Sequence, residues 1–153
     1  MNEVDIKYIS LEEALETHRL TIEKSGGGDY GELDIGRLDS VLTHIQNDEY
    51  YPNFLEKLEH LFYCACKFHC FTDGNKRIAI TLSALFLLKN GYMGIANVFF
   101  REMENISYHV AAGHIDEDLL MEILDNILNN TYEINEEIKL KVLNAISVED
   151  SFY

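Results

Sequence analysis

Between Ile78 and Leu88 the chain is apolar on nearly every side: Ile78, Ala79, Ile80, Leu82, Ala84, Leu85, Phe86, Leu87 and Leu88 leave little polar surface. A helix that is hydrophobic all round has to be buried inside other elements. The run is too short to span a bilayer and carries Thr81 and Ser83, so a protein core is its expected environment. Asn90-Gly91 is its stop signal. The constraint is therefore a central helix that the rest of the chain must surround.

The surrounding segments read as helices too. Ser10 and Glu13 form a capping box ahead of Leu11, Ala14, Leu15 and His18, and this first helix ends before Ser25-Gly26-Gly27-Gly28. Gly26 to Asp34 reads as a glycine-rich loop without the flanks of a phosphate-binding P-loop. Leu38, Val41, Leu42 and Ile45 mark a second helix, and Phe54, Leu55, Leu58, Leu61, Phe62 and Ala65 a third. Further helices are expected from about Phe100 to Ala112, from Asp116 to Leu128 and from about Asn135 to Ile146. One proline, and little strand-like alternation, fit an all-α domain of six or seven helices.

With 153 residues, 47% of them hydrophobic, one domain can form a core without disulfides. The formal charge of -15 disfavours a direct nucleic-acid role. The acidic N-terminus does not read as a signal peptide, and the expected location is cytoplasmic, with no membrane attachment. Cys64, Cys66 and Cys70, an odd set, read as free thiols in a packed helix. Their spacing with His69 fits no common zinc pattern.

In so acidic a chain, one string concentrates chemistry: His69-Cys70-Phe71-Thr72-Asp73-Gly74-Asn75-Lys76-Arg77. It feeds the N-terminus of the buried helix, where backbone N–H groups and the dipole make an anion site. Gly74 permits close backbone approach, Asn75 can turn an amide to an oxygen, and Lys76 and Arg77 add positive charge. His69 can take a proton from an attacking hydroxyl near neutral pH. Asp73 is a hard oxygen ligand able to hold Mg²⁺ beside substrate phosphates. These are the parts of phosphoryl or nucleotidyl transfer. Asp73-Gly74-Asn75 also reads as an ordinary turn, and Lys76-Arg77 as a solvated pair. The grouping of all parts within nine residues favours the functional reading.

This string resembles the signature of the Fic superfamily, His-Pro-Phe-x-Asp/Glu-Gly/Ala-Asn-Gly-Arg-x-x-Arg. His69, Phe71, Asp73, Gly74, Asn75 and Arg77 match, whereas Cys70, Lys76 and Ile80 stand where proline, glycine and the final arginine are usual. Lysine after the asparagine without the final arginine is the pattern of the death-on-curing (Doc) branch. The similarity extends from about Ile6 to Asn129, through Ile9-Ser10, Asp34 to Leu42, Leu85 to Gly91 and Ala111 to Ile115.

The resemblance implies a Fic-type helical bundle with a small β-hairpin flap, expected near His44 to Asn53, on which an extended segment of a protein substrate docks. It implies a catalytic domain over 1–130; beyond the resemblance, 131–153 reads as an amphipathic C-terminal helical extension packed on the same domain. It implies ATP or another nucleoside triphosphate with Mg²⁺, His69 as general base, Asp73 as metal ligand, and Gly74, Asn75, Lys76 and Arg77 holding phosphates. In the Doc branch the γ-phosphate goes to a threonine of elongation factor Tu; a chain that follows that branch is expected to be a toxin acting on translation. AMP transfer to a protein hydroxyl is the alternative, disfavoured by Ile80, and a non-enzymatic nucleotide- or partner-binding module is another. No Ser/Thr-x-x-x-Glu-Gly/Asn string occurs in the chain, so restraint is expected in trans, from a separate antitoxin.

Overall fold

The computed structural model describes residues 5–28, 31, 34–68, 70 and 74–147. Among them it contains seven α-helices and no strand: α1 (Leu11–Lys24), α2 (Ile35–His44), α3 (Phe54–Lys67), α4 (Asn75–Lys89), α5 (Met93–Ala112), α6 (Glu117–Leu128) and α7 (Glu136–Ser147). None of the helices is long and apolar enough to cross a membrane.

Helix α4 is the axis of the bundle, as its composition demands. It packs against α5, α3 and α1, and Ala79, Leu82, Phe86 and Leu87 are fully enclosed. Removing each large apolar side chain from water contributes roughly 1.5–3 kcal/mol. Phe86 stacks on Phe54 at 4.7 Å and Phe54 on Tyr92 at 5.0 Å, which ties the start of α3 to the end of α4. Thr21 and Thr81 share a 3.1 Å hydrogen bond between α1 and α4.

Local chemistry explains most helix starts. Ser10 closes the expected capping box with Glu13 at α1. Asp34, Asn53 and Asp116 accept from the third residue of α2, α3 and α6. Asn135 does the same for Ile138 in α7. Helix α5 begins at Met93, well before the expected Phe100, although Met93 and Gly94 give a weak start and no side chain caps it. Burial of Ala96 and Phe99 against the core supplies what the local signal lacks. Helix α7 docks on α6 through Ile138 and Val142, helped by Lys141 on Glu122 at 2.9 Å.

The β-hairpin expected near His44 to Asn53 is not there. The segment is a succession of turns held by its own polar groups. Asn47 accepts from Glu49 N–H through its side chain and from Tyr51 N–H through its carbonyl, both at 2.9 Å. From α3 the enclosed Lys57 donates to Ile45 O at 2.7 Å and to Asp48 at 2.8 Å. Burial works against this ammonium, but hydrogen bonds to Asp48 and Tyr8 outweigh it and its pKa is raised. A chain whose polar groups are answered locally has no need of a partner strand.

Candidate active site

The start of α4 differs from its neighbours. Its cap is Gly74, left-handed at φ 79° and ψ 17°, and no side chain caps the helix. A Cβ at this position would stand 2.8 Å from Ile22 Cδ1 and 3.9 Å from His18 Nε2. Both the backbone conformation and the wall formed by α1 therefore call for glycine. The first helical bond runs from Ile78 N–H to Gly74 O at 2.8 Å, so Asn75, Lys76 and Arg77 occupy the first turn. Asn75 is half-buried, while Lys76 and Arg77 are exposed. A dipole-positive helix end with two adjoining cations fits a phosphate group.

Arg77 also lines a groove of about 460 Å³ between α1, α4 and α5, with Lys24 beside it and Ile80, Thr81 and Phe100 in its walls. Ile80 is buried at 8% exposure and presents hydrocarbon where the resemblance leads one to look for a guanidinium.

On the other side, Asp34 N–H donates to Cys70 O at 3.0 Å, so the start of α2 is fastened to the loop that precedes α4. Cys70 is buried, and burial, reinforced by Asp34, raises its thiol pKa. The Cys64 and Cys66 thiols are pushed up to about 12, again mainly by burial. All three cysteines are free and buried, and their raised thiol pKa values disfavour a role as nucleophiles.

Of the residues expected in the site, Gly74, Asn75, Lys76 and Arg77 share the first turn of α4 and its cap. His69 and Asp73 lie outside the described residues, as do Phe71 and Thr72. No group of three or more histidine, cysteine, aspartate or glutamate side chains among the described residues could hold a metal ion. Sequence reasoning did not single out His18 and Ile22 as the wall behind Gly74. Their spacing from Ala14, four residues at a time, was the available signal. The Asp34–Cys70 tie joins residues far apart in the chain and left no such mark.

The site can be set against known proteins. The family described as Fic/DOC matches residues 8–87, which run from before α1 to near the end of α4 and include the whole motif. The chain is also 30% identical over 89 residues to a protein named Protein kinase doc from Escherichia phage P1, an alignment covering 56% of this chain and 70% of that protein. The match over more than half of the chain, on an all-helical bundle with the motif at the head of its central helix, shows that this chain belongs to the Fic/DOC family.

Proposed function

We propose that the chain is a protein phosphotransferase that moves the γ-phosphoryl group of ATP, or of another nucleoside triphosphate, to a hydroxyl of a target protein. The observation that carries this reading is the head of α4. A left-handed Gly74 with no side-chain cap, followed by exposed Lys76 and Arg77, offers an anion seat at the motif. The similarity to a protein named as a kinase supports phosphoryl over AMP transfer, as does Ile80 in place of the final arginine of the signature.

In this reading His69 removes the proton of the acceptor hydroxyl, and that oxygen attacks the γ-phosphorus as the bond to the nucleoside diphosphate breaks. Lys76, Arg77 and the backbone at Gly74 and Asn75 hold the phosphates and oppose the charge that builds on them. Asp73 would hold Mg²⁺, which supplies charge neutralisation between the phosphates. The target proposed from the family resemblance is elongation factor Tu, which would make the chain a toxin.

Two partner proposals go with it. An antitoxin acting in trans could reach the site through the groove beside Arg77 and Ile80. A protein substrate contacting the 44–53 segment would touch it at the far end of α3, a 14-residue helix about 21 Å long. Such a contact would be remote from the reacting hydroxyl.

The test uses purified protein, Mg²⁺ and ATP labelled on the α- or the γ-phosphate, added to a bacterial lysate beside a His69→Ala control. Label on a protein from γ-labelled ATP alone, lost with His69→Ala, is the expected result. Label from α-labelled ATP would replace the reading with AMP transfer. No label from either would favour a binding module.

A further inference from the structure

A second groove, of about 490 Å³, runs between α2 and α3. At one end lie Asp34, Arg37 and Phe68, next to the Asp34–Cys70 hydrogen bond that leads into the motif. At the other end lie His44, Tyr51 and His60, beside the turns of 45–53. Between them, Gly36 and Ser40 keep the α2 side low, and a Cβ on Gly36 would meet nothing but Asp34 Oδ1 at 3.8 Å. Helix α2 has 10 residues, so the groove is about 15 Å long, room for four or five extended residues.

Its walls mix apolar Val41, Cys64 and Phe68 with polar groups, and among the described residues that line it the one permanent cation is Arg37. The guanidinium lies over the Phe68 ring, 4.4 Å from its centroid. Its pairing with Asp34 is long, 3.8 Å, because that carboxylate already caps α2 by accepting from Arg37 N–H at 3.0 Å. A half-exposed guanidinium held against an aromatic ring, in a chain of net charge -15, is a place for a carboxylate. At the far end Tyr51 O–H and His60 Nε2 meet at 3.2 Å. Burial, reinforced by His44, lowers the His60 pKa, so this end is a neutral hydrogen-bonding wall at pH 7.

We propose that the α2–α3 groove is the track on which the acceptor protein lays a short extended segment bearing an acidic side chain, its carboxylate on Arg37. The inference rests on the reading of the chain as a protein-modifying transferase. The track runs from His44 and Tyr51 to Arg37 and Phe68, along the second half of α3, so a bound segment points from the 44–53 turns toward the motif end.

The test compares the wild-type chain with Arg37→Glu and Ser40→Trp. Glutamate suits the first turn of a helix and Ser40 is exposed, so both variants retain the fold. Transfer from γ-labelled ATP is followed across a dilution series of clarified bacterial lysate. Half-saturation in lysate is expected to rise about tenfold in both variants, with half-saturation in ATP unchanged. Unchanged lysate dependence overturns the track while leaving the transferase reading intact. Absence of label with the wild-type chain overturns the transferase reading instead. The track is then judged by NMR with a short acetylated peptide containing one glutamate and its glutamine counterpart. Saturable shifts of the Tyr51 and His60 ring signals, weaker with the glutamine peptide and lost in Arg37→Glu, support it. No shift overturns it.

Discussion

The two ends of α3 face opposite tasks. At its start Asn53 caps the helix, Lys57 is wholly enclosed and spends its charge on Ile45 O and Asp48, and Tyr51 O–H meets His60. Those polar groups are answered within the chain. Beyond its end the backbone turns extended at Phe68 and leads to Gly74 and the head of α4, where Lys76 and Arg77 are exposed. Neither of those two forms an ion pair among the described residues. One end uses its cation for stability. The other keeps two cations exposed at a helix head, in a chain short of positive charge.

The contrast can be broken from either side. His69→Ala should have the largest effect, lowering phosphoryl transfer by about 10²- to 10⁴-fold with the melting temperature unchanged. That pair of measurements separates chemistry from folding.

Next comes a pH effect from the middle of α3. Glu59 is buried, its Oε1 has no hydrogen-bond partner among the described residues, and burial with Glu117, Asp118 and Glu56 nearby raises its pKa from 4.5 to about 7. The folded chain keeps this proton where the unfolded chain releases it. The contribution to stability is full below pH 4.5 and is lost as pH rises through about 7, a change of roughly 3 kcal/mol. Urea unfolding at pH 5 and pH 8 should show the loss, and Glu59→Gln should flatten it. Equal slopes for both proteins would refute this account.

At the start of α3, Lys57→Met should lower stability by about 2 kcal/mol, because Ile45 O loses its buried donor. Half-saturation in ATP should not move. A shift in it would mean that the two ends are coupled. At the other end, Gly74→Ala should cost about 1–2 kcal/mol for the left-handed backbone alone, and Ile22 must also yield. Here transfer should fall along with thermal stability, since the anion seat shifts with the helix start. The smallest effect is Lys76→Ala, for which half-saturation in ATP should rise about fivefold, or about 1 kcal/mol, without loss of stability.

Particular elements show which features local chemistry makes legible. Ser10 with Glu13 announced α1, and Asp116 announced α6, because a cap needs only residues three apart. The start of α5 at Met93 stayed hidden, since the burial of Ala96 and Phe99 that creates it is a matter of neighbours distant in the chain. The hairpin expected at 44–53 came from resemblance rather than from the residues. Lys57 shows why the residues there make turns instead.

The motif divides in the same way. Its residue types, their order and their place ahead of an all-round apolar helix were readable in one dimension, because charge, helix polarity and periodicity are properties of adjacent residues. Only the tertiary structure set α1's Ile22 and His18 behind Gly74, fastened Asp34 to Cys70, and laid Arg37 over Phe68. Those contacts join residues tens of positions apart. They arise when helices buried for their apolar faces bring their polar ends together, which no local pattern encodes.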